Sequence, residues 1–450
     1  MMPPDLQRKL GLFPLTNIVI ANMIGAGIFT TSGLLIADLV DPILMIVLWI
    51  VGGFIAFCGA IAYGRLGAAF PQAGGEYVFL SNLYHPLLGF LSGWTSFVVG
   101  FSAPIAASSI GFSEYLNRAF PFLFQWTFLA DDSLVPARTF AVLVIILFTL
   151  IHMRGIDTGA RVQNYLTVLK VGLIVVLILG GLSFGDGDFG HLSDHGEFSF
   201  GFDGWKTIGL SLVWIMFAYS GWNASTYLGS EVRNPGTVLP RSLLFGTGIV
   251  ILLYVGLNLT FIYALSPGEM SGVISIGGLA MGALFGTSME TLSSVLISFA
   301  LFSSLSAFII LGPRVYYAMA RDGAFFKSVA YVHPKYEVPT RSIALQGAIA
   351  AVMVLSGTFD QILTFMGFSL GIFPLFAVLG VFRLKGGLGN GHMSVAARFA
   401  PAFYVLISLS ILILAYLERP LESSIALGTV AMGVPLYYLL KRRSNGPKPT

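Results

Sequence analysis

Apolar segments about as long as a membrane crossing follow one another along almost the whole sequence. A bilayer core takes roughly 20 residues of α-helix, and hydrophobic residues make up 56% of this 450-residue chain, against 10% charged residues. This balance excludes a soluble globular protein and predicts an all-α polytopic membrane protein. Twelve segments are predicted to be transmembrane helices, of which the fourth and ninth are short for a full crossing: Leu12–Ala37, Ile43–Ala62, Leu87–Phe112, Phe140–Met153, Tyr165–Leu182, Ile208–Leu228, Leu243–Leu265, Leu292–Tyr317, Ile343–Leu355, Ile362–Val381, Pro401–Tyr416 and Ile425–Leu440.

The first segment contains two glycines near its centre. Gly25 and Gly27 are the poorest helix formers of the run Leu12–Ala37, so this run is predicted to be a broken membrane helix. Backbone groups freed inside hydrocarbon are costly, and a break persists only where it meets protein, water or a ligand. A binding site is one interpretation of the break. Close packing against another helix through Gly-Ala-Gly is the alternative.

The sixth segment repeats this anomaly. Residues Phe217–Asn223 read Phe-Ala-Tyr-Ser-Gly-Trp-Asn and interrupt the apolar run with a Ser-Gly pair. Gly25 and Gly221 hold corresponding places five helices apart, and an odd number of helices inverts the second set relative to the membrane. Paired interrupted helices in inverted halves indicate a secondary-transporter binding site at the bilayer midplane. We therefore expect one membrane domain, residues 1–450, with repeats at 12–185 and 205–385 and two added helices at 398–440.

Basic residues are distributed unevenly between the predicted loops. With the amino terminus inside, 19 of the 24 Lys and Arg residues lie in cytoplasmic segments, whereas 15 of the 21 acidic residues lie outside. Because positive charge accumulates in cytoplasmic loops, both termini are predicted to be cytoplasmic, in a multi-pass protein of the plasma (inner) membrane. This topology accounts for the net charge of +3, and no nucleic-acid partner is indicated.

Residues able to support enzymatic or metal chemistry are few. The six histidines are predicted to lie in or beside loops, and no helix is predicted to carry a buried base with a partner at helical spacing. His191 and His195 with Asp188 and Asp194 imitate a metal cluster, but a Gly-rich loop without helical register favours a solvated loop. Cys58 is the single cysteine, so no disulfide-linked partner and no thiolate site are expected. We expect no metal or cofactor. A channel or a membrane-embedded enzyme is the alternative class, although no filter-like sequence occurs.

Four stretches form a recognisable set of motifs: Gly25–Phe29, Phe70–Tyr77, Phe217–Asn223 followed by Glu231–Pro235, and Arg314–Gly323. Together they resemble the amino acid–polyamine–organocation superfamily of transporters. The motif at Phe217–Asn223, with Lys170 in the fifth helix, is most similar to the L-type branch of neutral amino acid transporters. The resemblance implies a LeuT-like fold of five plus five inverted helices, with helices 1 and 6 broken. It also implies transport of an amino acid, a small-molecule substrate, across the lipid bilayer by alternating access, either as exchange or as proton-coupled uptake, at a site between helices 1, 3, 6, 8 and 10.

The two breaks are predicted to hold the main-chain charges of an amino acid. The residues predicted to bind substrate are Ile24, Gly25, Ala26, Gly27, Ser108 or Ser109, Phe217, Ala218, Ser220 and Trp222. Freed amides at 25–27 begin the second half-helix, where the dipole favours a carboxylate. Carbonyls at 24, 217, 218 and 220, left where the first half-helices stop, can accept an ammonium group.

Side-chain selectivity is predicted to depend on Phe217 and Trp222 together with the helix-3 serine. By resemblance, Phe217 closes the site from outside. Ordinary aromatic packing is the alternative role for both aromatic residues. No Asp or Glu lies within predicted helices 1, 3, 6, 8 or 10 near these positions, so a buried cationic side chain would lack a partner, and neutral substrates are expected.

Lys170 is the only Lys or Arg placed well inside a predicted helix. It lies about twelve residues from the inner end of helix 5, roughly 18 Å deep, where a charge is costly and normally faces the bundle interior. By resemblance to sodium-independent members, its ammonium is expected to reach the break near Ile24 and Gly25 and a hydroxyl of Ser303 or Ser306, replacing a coupling sodium ion. A structural lysine that bonds helix carbonyls is the alternative. A sodium-coupled symporter of the same fold is the alternative function.

Two shorter stretches complete the predictions. Ser266–Gly286 includes a short apolar piece expected to lie across the outer face, either as a lid or as a packed surface helix. Phe70–Asn82 is expected to form a connector on the inner face, with no catalytic role for Glu76.

Overall fold

The computed structural model describes residue 8 and residues 10–72, 74–125, 134–154, 157–321, 323–336, 338–384 and 395–444. Within these residues, eighteen α-helices account for nearly all regular structure. In chain order they are α1 Leu12–Met23, α2 Ala26–Thr30, α3 Ser32–Leu39, α4 Pro42–Ala69, α5 Glu76–Leu83, α6 Pro86–Thr95, α7 Ser102–Ala119, α8 Leu134–His152, α9 Asp157–Phe184, α10 Phe202–Ala218, α11 Pro235–Ala264, α12 Pro267–Met270, α13 Ile276–Phe285, α14 Thr287–Arg321, α15 Thr340–Ser356, α16 Phe359–Gly380, α17 Val395–Glu418 and α18 Pro420–Ser444.

Ten segments of this described part are long and apolar enough to cross a membrane. They are Leu12–Thr30, Pro42–Ala69, Pro86–Ala119, Val135–His152, Thr167–Phe184, Pro235–Ala264, Thr287–Pro313, Phe359–Arg383, Arg398–Glu418 and Pro420–Lys441. The fourth predicted segment is among them. The sixth and ninth correspond to α10 and α15, which are helices of 17 residues each. The protein is thus an all-helical, polytopic membrane protein.

The membrane segment formed by α6 and α7 changes its helical pitch in the middle. Residues Ser96–Gly100 form a π-helical turn between the two α-helices. Such turns widen a helix locally and often lie at functional sites. This turn therefore gives the third predicted membrane helix an irregular central surface that an apolar pattern does not reveal.

The bundle centre is formed where long helices pack on one another and bury large side chains such as Trp49 and Tyr254. α1 and α4 pack on α11, and α7 packs on α14. By contrast, large apolar side chains on the periphery are exposed, such as Leu252, Leu406 and Leu147. An exposed apolar perimeter around a buried centre is what a lipid-facing bundle requires.

The chain before α1 pairs with the connection that follows α10. Leu10 donates its backbone N–H to the carbonyl of Glu231 at 2.9 Å, and Arg233 donates to the carbonyl of Leu10 at 2.9 Å. Leu10 and Val232 form an isolated parallel β-bridge there. The start of the first membrane helix is thereby joined to the start of α11.

Candidate functional site

The first membrane helix is interrupted where the glycines predict an interruption. α1 ends at Met23, and the next two residues are extended, Ile24 at φ −72° and ψ 98° and Gly25 at φ −139° and ψ −155°. The helix resumes at Ala26, and all residues from Leu15 onward through this break are buried or half-buried. Carbonyls at the end of α1 therefore need partners from other helices.

The second break lies beside the first. α10 ends at Ala218, a turn follows, and a 3-10 helix begins at Ala224. Gly221 has φ +99°, a backbone conformation that glycine adopts without strain. A Cβ on Gly27 would lie 2.4 Å from the Cα of Ala218. The break at residues 24 and 25 and close packing at residue 27 are therefore both observed, and the binding site at the break stays a prediction.

Lys170 reaches the first break from α9. Its side chain is 1% exposed, and its Nζ donates to the carbonyl of Ala21 at 2.8 Å and to that of Ile24 at 2.5 Å. The hydroxyl next to Nζ is that of Ser304, at 3.4 Å. An ammonium group therefore neutralises the carbonyl end of α1 directly.

Ser304 is a residue that the sequence prediction did not single out. It lies between the two predicted serines on α14 and donates its hydroxyl to the Ile24 carbonyl at 3.0 Å. Ser306 instead forms a hydrogen bond with His152 Nε2 at 3.0 Å, and Ser303 is fully buried on the same helix. His152 ends α8 with its ring buried, and its partner Ser306 lies on another helix and not at helical spacing.

Tyr254 on α11 joins the two breaks, and sequence reasoning missed it. Its hydroxyl lies 2.6 Å from the Met23 carbonyl and 3.0 Å from the Ala218 carbonyl, which are the last carbonyls of α1 and α10. Its ring packs against Trp49 and Tyr219, with centroids 5.6 and 5.0 Å away. One tyrosine thus fixes the spacing between the two half-helices.

A cavity adjoins the second break. It is lined by residues of the five predicted helices, including Asn22, Thr95, Phe217, Phe308 and Leu370. Its volume of about 120 Å³ is several times the roughly 10–15 Å³ that one water molecule needs. α17 also contributes to the lining, through Tyr404, Ser408, Ile411 and Leu412.

The predicted substrate-binding residues divide into two groups around this cavity. Phe217, Ser220 and Trp222 line it. The described residues Ile24, Gly25, Ala26, Gly27, Ser108 and Ala218 lie outside its lining. The reason is the direct contact of α2 with α10 at Gly27 and Ala218, which leaves no space between the breaks in this conformation. Ser108 is buried within α7, and the Ser109 hydroxyl bonds the Ala106 carbonyl at 2.8 Å.

The two predicted selectivity aromatics differ in their surroundings. Phe217 is 5% exposed and borders the cavity at the end of α10. Trp222 borders it too, but it packs edge-on between Tyr63 and Tyr404, with ring centroids 4.7 and 5.8 Å away. Trp222 therefore combines aromatic packing with a place in the cavity wall.

A buried acid, Glu76, also lines the cavity. Its Oε1 accepts hydrogen bonds from the Tyr63 hydroxyl and from Asn223 Nδ2, both at 2.8 Å. The side chain is 6% exposed. The segment predicted to be a simple connector thus places a carboxyl group against the 3-10 segment after the second break.

A second group of contacts, away from Glu76, joins α7 to α2 and α13. The Tyr115 hydroxyl donates to the Phe29 carbonyl at 2.6 Å and accepts from the Gly277 amide at 3.0 Å. One turn further along α7, Arg118 bonds the Ser275 hydroxyl at 2.6 Å and Glu290 Oε1 at 2.8 Å. The short apolar helix α13 therefore covers the end of α2.

Comparison with known proteins identifies the family. Residues 10–428 match the amino acid permease family. The chain belongs to this family. It is 27% identical to the serine/threonine exchanger SteT of Bacillus subtilis (strain 168), over 97% of this chain and 98% of that protein.

Mammalian proteins show similar relationships. The large neutral amino acids transporter small subunit 2 of Mus musculus is 26% identical over 98% of this permease and 83% of that protein. The Asc-type amino acid transporter 1 of Mus musculus is 23% identical over 96% and 81%, respectively. The permease therefore belongs among membrane transporters and not among enzymes.

Proposed function

We propose that this permease exchanges neutral L-amino acids across the plasma membrane by alternating access and without sodium. Its relatives include a serine/threonine exchanger and a large neutral amino acids transporter subunit, and these support the substrate class. The observation that carries sodium independence is the Lys170 ammonium at the first break, 2.5 Å from the Ile24 carbonyl. A fixed cation there satisfies carbonyl oxygens that a sodium ion would otherwise coordinate.

The fold underlying this proposal is a LeuT-like arrangement of twelve membrane helices. We assign residues 12–185 and 205–385 to two inverted repeats, residues 398–440 to two further helices, and both termini to the cytoplasm. The two helix breaks lie five membrane helices apart, and the Tyr254 hydroxyl forms hydrogen bonds with both. This arrangement supports the repeat. On this topology the cavity end near Glu76 faces the cytoplasm, and α13 covers the outer face.

The substrate carboxylate docks on the amides of Gly25, Ala26 and Gly27 once the two breaks separate. The Ile24 carbonyl already accepts from Lys170 and Ser304, so it has little capacity for an ammonium group. Among the described hydrogen bonds none reaches the Ser220 carbonyl. We assign the substrate ammonium first to the Ser220 carbonyl and second to the Phe217 carbonyl, which already accepts one hydrogen bond, from the Ser220 amide at 2.8 Å. Both residues border the cavity.

Neutral side chains are selected by the apolar wall of the cavity. Phe217 and Met216 line it on α10, and Leu370 and Phe373 line it on α16. Glu76 is the acid in its described lining, and two donors already engage it. A cationic side chain would therefore displace these donors at a cost that a neutral side chain avoids.

Counterflow in proteoliposomes tests the proposal. Labelled serine, threonine, alanine, leucine or isoleucine outside should exchange with unlabelled substrate inside at the same rate in sodium and in choline buffers. A strict sodium requirement would overturn the role given to Lys170 and favour the sodium-coupled symporter. Faster uptake of arginine or lysine than of these amino acids would overturn the neutral selectivity. Flux without trans-stimulation would indicate a channel.

A further inference from the structure

Glu76 is a buried acid that the proposed exchange reaction does not use. None of the salt bridges among the described residues includes it. Its described hydrogen-bond partners are neutral side chains: Tyr63 on α4, Ser92 on α6, and Asn223 and Tyr227 at the 3-10 segment. Tyr404 of α17, also neutral, borders the same cavity. Arg65, two residues from Tyr63, makes contacts of its own. A buried carboxylate with neutral partners alone has no charge to balance it.

Water can reach this acid through the cavity. Glu76, Ser92 and Thr95 border the same space. The Thr95 hydroxyl is buried and makes no hydrogen bond to any described residue. A buried hydroxyl in a polar cavity normally forms a hydrogen bond with water. A water molecule bound to Thr95, one helical turn from Ser92, could carry a proton toward Glu76.

The donors to Glu76 come from elements that alternating access must separate. Tyr63 belongs to α4, whereas Asn223 directly precedes the 3-10 segment that continues the broken sixth helix. The carboxyl group therefore holds the inner part of that helix against α4 and α5. Hydration of Glu76 requires this contact to open.

We propose that Glu76 is a proton-binding site at the cytoplasmic end of the cavity, and that its protonation controls the opening of that end. The site rests on the proposed function for its orientation in the membrane. It makes exchange sensitive to internal pH without requiring net proton transport.

The sign of the effect follows from burial. Desolvation raises the pKa of Glu76 above its usual range, and hydrogen bonds from Tyr63, Asn223, Ser92 and Tyr227 oppose this rise. In an open state the hydrated carboxyl group has an ordinary pKa. The closed state thus binds the proton more tightly and is favoured as pH falls, whereas ionisation as pH rises favours opening.

Thiol labelling measures this opening without any transported substrate. Cys58→Ser removes the single native cysteine, and Ser96→Cys places a reporter in the cavity wall. In inside-out vesicles the labelling rate, divided at each pH by the rate of the same cysteine in denatured protein to remove the effect of thiolate ionisation, should rise with bath pH between about pH 5 and pH 8. Adding Glu76→Gln, a permanently neutral side chain, should remove this rise and hold labelling at the low-pH rate. Glu231→Gln, which changes the acid at the last residue of the same 3-10 segment, should keep the rise.

The variant Tyr63→Phe provides a second, independent test of the proton-binding site. It removes one donor to the ionised carboxylate, so the labelling step should move to higher pH by about one unit. An unchanged step in Glu76→Gln would overturn the proposal. If Glu76→Gln fails to fold, an unmoved step in Tyr63→Phe would overturn it. Labelling that responds to pH as stated while no amino acid exchanges would reject the proposed function and leave the proton site standing.

Discussion

Replacing Lys170 with methionine tests the central contact of the structure. Methionine keeps an unbranched apolar side chain, with sulfur in place of Cδ, and ends one atom short of the ammonium nitrogen that it removes. The carbonyl of Ile24 keeps its bond from Ser304, whereas that of Ala21 loses the donor that Lys170 supplies. The variant therefore isolates the effect of the buried cation on the broken helix.

The size of the effect follows from the orphaned carbonyl. A buried carbonyl without a partner costs about 1–3 kcal/mol. If this cost applies to the broken form and not to a continuous helix, the population of the broken form falls by about 5- to 150-fold. Counterflow of labelled serine by Lys170→Met should fall within this range, with normal insertion and a normal size-exclusion profile.

The matched control is Lys206→Met, at the start of α10. Lys206 Nζ lies 2.8 Å from Asp203 Oδ1 and 3.5 Å from Glu418 Oε2, away from both breaks. Exposed ion pairs contribute little, so exchange by this variant should match the wild type. A folded Lys170→Met protein that exchanges as fast as Lys206→Met would refute the reasoning.

Three further variants have defined outcomes. Gly27→Ala places a methyl group against the Ala218 backbone, 2.4 Å from its Cα, and this overpacking should lower stability by about 1–3 kcal/mol, measured by thermal unfolding in detergent; an unchanged melting temperature would contradict the close contact. Tyr254→Phe removes the hydroxyl between the two half-helices and should raise the KM for exchange about fivefold while leaving expression unchanged; an unchanged KM would show that the hydroxyl does not position the breaks. Arg118→Met with Glu290→Gln should show a coupling energy below about 1 kcal/mol in a double-mutant cycle of thermal unfolding, because both side chains are about one quarter exposed; a larger coupling would mean that the pair is desolvated when the outer face closes.

Sequence alone located the features that depend on residue type along one helix. Gly25 and Gly221 mark the two breaks because poor helix formers are unusual within apolar membrane segments. Lys170 is conspicuous because a charge so far from a helix end needs a partner. Its contact with the Ile24 carbonyl is the interaction expected for it.

Sequence could not assign features that depend on how helices rotate against each other. Neighbouring residues on a helix point about 100° apart, so the choice between Ser303, Ser304 and Ser306 requires the orientation of α14. Tyr254 is one more aromatic residue in an apolar run until its hydroxyl is seen at two carbonyls. The burial of Glu76 could not be predicted either, because this residue lies next to a Gly-rich connector and is buried only by tertiary packing.

The distant partners of the first break have a consequence for biosynthesis. Lys170 lies 146 residues after Ile24, and Tyr254 lies 231 residues after Met23. At about 5–20 residues per second, a ribosome needs roughly 10–50 s to make the longer stretch. Until Lys170 is made, the Ala21 and Ile24 carbonyls lack this donor, and the Met23 carbonyl lacks Tyr254 for the whole of the longer time; lipid offers no replacement. We therefore expect the first segment to enter the membrane as a continuous helix and to break only when the fifth and seventh membrane helices arrive.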